Sequence, residues 1–443
     1  MRHKFCISIA LIVLATGIGR AESITLAESV NAALANNPTM RIARENIEKS
    51  KATIDEAGSQ GMPKLAIQGV YTRVDQVPTA DFNGNTIKLG TQDSKTADLV
   101  LTQPIDVFSI VKTGKHVASL SKSSAQYDLD QATNDVTLDT KTAYFNVLRA
   151  QAFQKVQEDT VGQLEVHLTD AQLHYDAGTI AKFDVLRAET ELANSRQGLI
   201  ASQNGVQLAK SALNTVIGQP VTTLIDLVEP ENPGYPKVEL AACTDAARRW
   251  RPEVLRAQTQ VQIADKTRKI ASLMGKPRFN LQWDYNKSFN PTIFNPRENS
   301  WRAYLTTSIN VFDGGATRAA VDKASSDAAN SRSLQEQVLQ AVTLDTQQSY
   351  LNLNESRDRI LVAEKGLDQA KEAMRLAQVR YQGEVSTQLE VLDARAALTQ
   401  AETNHVNATF DYQIALAKLE RAVGGKEQFA QLLGGQKQEV GRN

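Results

Sequence analysis

With 443 residues the chain has room for a few ordinary domains or for one long repeated one. Charged residues make up 22% and aromatic residues only 6%, a balance that suits long Ala/Gln/Leu-rich helices better than a compact enzyme core. The formal net charge of −1 gives no electrostatic footprint for nucleic acid, and that class is set aside.

The first residues read as an address. Arg2 and Lys4 form a basic segment, Phe5 to Ile18 an apolar one, and Gly19-Arg20-Ala21 a small-x-small cleavage site. Residues 1–21 are therefore expected to be a secretory signal peptide, since the apolar run is shorter than the roughly 20 residues that span a bilayer. Removing them leaves a single cysteine, Cys243, which excludes an internal disulfide.

Residues 22–218 and 244–424 read as two copies of one repeat, joined by a Pro-rich linker at 219–243 and followed by a polar tail at 425–443. In the first copy Thr25 or Ser23 caps a short helix to about Asn36, and Pro38 opens a second that ends near Ala57, before Gly58, Gly61 and Pro63. The second copy repeats this with a short helix from Thr244, a break at Pro252 and a stop at Gly275 and Pro277. Pro38 to Pro252 and Pro63 to Pro277 are both 214 apart.

The period then changes from 3.6 to 2. Strands are expected at about 64–74 and 96–108, and again at about 278–286 and 301–312, where Trp301, Ala303, Leu305, Thr307, Ile309 and Val311 alternate with mostly polar neighbours. Polar loops at 75–95 and 286–300 join each pair. Strands of this length, apolar on one face, suit a membrane β-barrel, because the flanking helices already spend their apolar faces on each other. Four strands cannot close alone, and unpaired edge groups in lipid cost several kcal/mol each. Other copies must complete the barrel; two chains would give eight strands and three would give twelve.

Beyond the strands the 3.6 period returns without a break from about 112 to 175 and from 316 to 381, enough for helices of about 95 Å. A polar turn and a returning helix follow each, with tips near 176–184 and 382–390. Apolar positions step by three and four on both sides of the turn: Ile360, Leu367, Met374 and Tyr381, then Val391, Ala394 and Leu398. Subtracting 206 recovers the same seam in the first copy, through Val161, Leu168 and Tyr175, then Val185, Ala188 and Leu192. A sustained 3-4 alternation is a heptad seam, so each copy ends in a left-handed helical hairpin.

The opening around Asn37-Pro38, the Val311-Phe312-Asp313-Gly314-Gly315 turn and the paired tips together resemble the TolC family of outer membrane efflux proteins. The tip motifs are Tyr175-Asp176-Ala177-Gly178 leading into Asp184-Val185-Leu186-Arg187-Ala188, and Tyr381-Gln382-Gly383 leading into Glu390-Val391-Leu392-Asp393-Ala394. The resemblance covers nearly all of the mature chain. It implies an α+β membrane protein in which duplicated helical-hairpin and β-hairpin repeats form a trimeric 12-stranded β-barrel continuing into a 12-helix periplasmic α-barrel. It further implies the outer membrane of a Gram-negative bacterium, a periplasmic adaptor at the tips, and an inner-membrane pump of the RND, ABC or MFS type. The protein would then be the passive exit duct of a tripartite efflux or type I secretion system.

Carried over residue by residue, the family's pore constriction falls on Glu390 and Asp393, and its gate latch on Tyr381 and Asp184. Gly178, Thr179, Gly383 and Ser386 mark the adaptor-docking tips. Ser386 occupies the place of an arginine that pairs across the latch in the family's type member, and Arg187 is the candidate substitute cation. Gly383 comes one position earlier than Gly178, so the two turns need not share a shape.

Catalysis is not expected, nor any metal or cofactor. His3, His116, His167, His174 and His405 form no ligand cluster; His167 and His174, seven apart, read as a surface pair. A phosphate loop and a nucleophile turn are both lacking. The alternative from another class is a periplasmic adaptor, which also uses coiled-coil hairpins but predicts one hairpin and has no use for duplicated lipid-compatible strands.

Overall fold

The computed structural model describes residues 22–231, 234–291, 296–383 and 385–439; the expected signal peptide lies outside the described residues. The first repeat runs β1 (Glu22–Ile24), α1 (Leu26–Asn36), α2 (Pro38–Ser59), β2 (Lys64–Arg73), β3 (Thr79–Phe82), β4 (Asn85–Lys88), β5 (Asp93–Ile105), α3 (Ile110–Asp176) and α4 (Lys182–Ile217). After β6 (Ile225–Leu227) the second runs α5 (Leu240–Trp250), α6 (Pro252–Leu273), β7 (Arg278–Ser288), β8 (Asn299–Ser308), α7 (Ala316–Gln382) and α8 (Gln388–Ala422). Both long helices, α3 and α7, are 67 residues.

Local chemistry sets the helix ends. Thr25 forms a capping box at α1: its hydroxyl accepts from the Glu28 amide at 3.3 Å, and the Glu28 carboxylate accepts from the Thr25 amide at 2.8 Å. An aspartate caps each long helix. Asp106 accepts from the amides of Ile110 and Lys112, and Asp313 from those of Gly315 and Thr317. Gly218 closes α4 in the left-handed region at φ 80°, with Asn36 so near that a Cβ would lie 2.9 Å from its carbonyl oxygen. The side chain of Asn37 donates to the Val216 carbonyl at 2.8 Å, which ties the end of α4 to the α1–α2 junction.

Several boundaries differ from the sequence reading. Strand β8 runs Asn299–Ser308, so Ile309 and Val311 fall beyond it. The ladder to β7 ends at the Arg278–Ser308 pair, and α7 starts after the turn at Asp313 and its glycines. Helix α5 begins at Leu240, not Thr244. The 75–95 loop holds its own hairpin, β3–β4, turning at Asn83-Gly84 with both residues at positive φ. The polar tail starts with a helix, α9 (Lys426–Glu439), after the Gly424-Gly425 break. The linker strand β6 pairs in parallel with β1, a long-range contact with no local sequence signal.

The chain divides into two compact units, each built from both repeats. One comprises Ile42–Ala132 and Thr244–Asp345. It holds an antiparallel sheet in the order β2-β5-β7-β8. The register gathers Asp98, Gln282, Asp284, Asn286, Arg302 and Tyr304 on one face. The Arg302 and Tyr304 side chains donate to Asp284, and Asn286 donates to Asp98. The other face carries Leu65, Ile67, Leu99, Leu101, Trp283, Tyr285 and Trp301, with Ile67 80% exposed. In the helical part of this unit, buried Arg251 is held by Glu253 and Asp345.

The other unit comprises the residues up to Arg41, Thr133–Cys243 and those from Thr346 onward. Its core joins Tyr144, Phe145, Val147 and Leu148 of α3 to Leu213 and Ile217 of α4, Ile225 of β6, and Phe410 and Ile414 of α8. The fully buried Tyr144 donates its hydroxyl to the carbonyls of Ile24 and Val228, anchoring the β1–β6 pair. Among the described residues no helix is long and apolar enough to cross a membrane.

Candidate functional site at the hairpin tips

The heptad seam brings the two hairpins to their turns. Val161 and Leu164 pack with Leu192 in the α3–α4 hairpin, and Met374 and Ala377 with Val391 and Leu398 in the α7–α8 hairpin. Leu392 reaches across to the first cluster, so α8 lies against α3 near the tips. The same hydrogen bond ends both outgoing helices: the Thr179 amide reaches the His174 carbonyl, and 206 residues on, the Val385 amide reaches that of Arg380. Gly178 has φ 75°, whereas Gly383 is not left-handed, so the glycines play different parts in the two turns. The Thr179 hydroxyl also donates to the His174 carbonyl at 2.9 Å.

A small cavity of about 180 Å³ opens between α3, α7 and α8. His167, Asp170 and His174 line it from α3, Tyr381 from α7 and Arg395 from α8. The Tyr381 hydroxyl is buried and makes no hydrogen bond. The hydrogen bond expected between Tyr381 and Asp184 is therefore not made. The link to Asp184 runs instead through Gln388, whose amide donates to the Asp184 backbone carbonyl at 3.2 Å. Gln388, the first residue of α8, is more than nine-tenths buried at this junction, and it is this side chain that reaches the Asp184 backbone. Burial raises the Tyr381 pKa, and the charges of Asp184 and Asp170 raise it further.

Gln388 also contacts the Nε2 atom of His167 at 3.1 Å, and both His167 and His174 pack their rings near Tyr381, at 5.8 and 6.1 Å between centroids. The reading of these histidines as a surface pair is corrected: their seven-residue spacing puts both on the α3 face that meets α7 and α8. Burial lowers the His167 pKa below its ordinary value; Asp170 opposes the shift and Arg395 adds to it. Arg395, only 7% exposed, makes no ion pair within 4 Å among the described residues, and burial depresses its pKa as well. Gln388 and Arg395 are the residues the sequence reading missed, and His167 is the one it placed on the surface. The available signal was their place in the seam frame: His167 adjoins Leu168, Arg395 adjoins Ala394, and Gln388 lies three positions before Val391.

Glu390 is engaged within its own hairpin, paired with Arg380 at 2.9 Å and accepting from the Ser386 hydroxyl at 2.9 Å. Ser386 thus positions this carboxylate. Asp393, on the next turn of α8, is exposed, and so is Arg187, which forms no ion pair with Asp393. No group of His, Cys, Asp or Glu suited to a metal ion occurs among the described residues.

Comparison with known proteins decides the family. The sequence profile described as outer membrane efflux protein matches residues 29–219 and 244–425, most of the chain and both repeats. The chain belongs to the outer membrane efflux protein family. It is 24% identical over 401 residues to the pyoverdine export outer membrane protein OpmQ of Pseudomonas aeruginosa, covering 88% of this chain and 82% of that one. It is 24% identical over 413 residues to the outer membrane protein TolC of Vibrio cholerae, covering 90% of each. The Campylobacter jejuni CmeC outer membrane channel has the same fold, with a TM-score of 0.80 at 15% identity over 90% of this chain and 85% of that one. The chain is therefore an outer membrane duct of the efflux or secretion type, and the proteins it resembles are channels rather than enzymes.

Proposed function

We propose that three copies of this chain form one passive conduit, gated at the hairpin tips and opened by a periplasmic adaptor that links it to an inner-membrane pump. The observation that carries the proposal is the sheet. Among the described residues, strands β2 and β8 each have one neighbour, and each leaves a ten-residue edge unpaired. In a bilayer those edges must pair with other copies, and an antiparallel join of β8 to the next chain's β2 closes the ring. Catalysis has no part in this role.

In the assembled ring, Asp393 and the Arg380-paired Glu390 border the constriction. Tyr381, Asp184, Gln388 and His167 make the seam that parts on opening, and Gly178, Thr179, Gly383 and Ser386 lie on the turns offered to the adaptor. Arg187 remains available as a cation for a neighbouring subunit. The test is reconstitution of the full chain. A trimeric mass and discrete single-channel conductance in planar bilayers are expected, with crosslinks from the tip turns capturing an adaptor. A monomeric, water-soluble product without conductance would sink the proposal.

A further inference from the structure

The apolar face of the β2-β5-β7-β8 sheet does not stay apolar to its end. Following the register away from the helices, Ile67, Leu99, Tyr285 and Trp301 lie in one row across the four strands. The next row brings Lys287 opposite Ala97, and the one after it pairs Tyr71 with Lys95, whose carbonyl receives the Phe289 amide at 2.9 Å. Two lysines therefore stand on the same face as the aromatic band, at the end distant from α2 and α3. Each ammonium lies over a ring, Lys95 at 5.9 Å from the centre of Tyr71 and Lys287 at 5.4 Å from that of Phe289. Among the described residues neither is paired with a carboxylate. The nearest acid on this face, Asp93, already receives the Tyr71 hydroxyl at 2.7 Å and faces Arg73 at 3.7 Å.

We infer that this rim is a binding surface for the phosphate groups of outer-leaflet glycolipid. The inference rests on the reading of the sheet as a barrel wall, which turns its apolar face to lipid. An aromatic band marks the boundary between hydrocarbon and head groups. The two rows beyond it lie at the depth of lipid phosphates, and there the chain presents two ammonium groups, each over an aromatic ring and without a carboxylate partner among the described residues. A cation in that place gains from an anionic head group what it lacks within the protein. Phosphorylated disaccharide lipid complements this geometry, because its two phosphates and broad acyl footprint match two lysines above an apolar strip.

The full-length protein, purified in detergent, is titrated with bisphosphorylated lipid A, and retained lipid is counted by native mass spectrometry. Binding is expected to fall about fivefold for each of Lys95→Gln and Lys287→Gln, the factor matching about 1 kcal/mol per cation at an anionic surface. The double Lys→Arg variant should bind like the parent. Equal retention by the double glutamine variant, or equal binding of lipid A stripped of its phosphates, overturns the inference while leaving the barrel intact. Failure of the parent chain to enter liposomes at all would overturn both it and the barrel reading.

Discussion

Replacing Gln388 with glutamate should reverse the pH response of the tip. In the native seam the Gln388 amide donates to the Asp184 carbonyl at 3.2 Å and faces Nε2 of His167 at 3.1 Å, which requires the imidazole proton to sit on Nδ1. Protonating His167 sets one donor against another, in a site that burial and Arg395 already make hostile to a second positive charge. The sign follows. The His167 pKa is lowered in the closed seam relative to its ordinary 6.5, so the closed state binds fewer protons than the open one. Closure is thus strongest above about pH 6.5 and weakens as pH falls through the lowered value. Asp170 tempers the effect. A hydrogen bond of this kind contributes about 0.5–1.5 kcal/mol, and two per subunit amount to about 1–3 kcal/mol. That corresponds to roughly a 5- to 160-fold change in the open-to-closed ratio. In Gln388→Glu the carboxylate repels the Asp184 carbonyl at neutral pH and attracts the imidazolium in acid. Native channels should gain open probability between pH 7.5 and 5.5 in planar bilayers, while the variant should start more open and lose it. Parallel pH profiles for the two proteins would refute this account of the seam.

Other perturbations probe separate parts. Tyr381→Phe removes a buried hydroxyl that has no partner, so the closed state should be unchanged or firmer by about 1 kcal/mol, and a leakier channel would contradict the geometry. Gly218→Ala places a Cβ 2.9 Å from the Asn36 carbonyl at φ 80° and should cost at least about 1–2 kcal/mol, read as a lower thermal midpoint; an unchanged midpoint would show that the α1–α2 junction yields freely. Tyr144→Phe takes the hydroxyl donor from the Val228 carbonyl and leaves the Ile24 carbonyl only the Val228 amide at 3.2 Å, and should cost about 1–3 kcal/mol, with faster proteolysis of the N-terminal strand as its signature. Arg380→Ala releases Glu390 from its pair, so block of the channel by multivalent cations should strengthen by several-fold; identical block would place Glu390 away from the constriction.

What could be read from residues alone was whatever repeats at short range. The shift from a 3-4 step to strict alternation located helices and strands, the Thr25 or Ser23 cap and the Pro38 and Pro252 breaks located helix starts, and the 206-residue echo revealed the duplication. These signals are local, and two copies of each made accident improbable. The end of β8 was misplaced because Ile309 and Val311 keep the alternation although the ladder to β7 ends at the Arg278–Ser308 pair.

The chemistry of the tips was not legible in the same way. Gln388 meets Asp184 across 204 residues of chain and His167 across 221, and no periodicity within either segment says which polar atom will fill the space between them. The register of β2, β5, β7 and β8 likewise decided that Lys95 and Lys287 share a rim. Sequence by itself determined the periods, the breaks and the doubling, because each follows from the backbone geometry of a few neighbours. Tertiary structure alone decided the partners, because a hydrogen bond depends on where two distant surfaces come to rest.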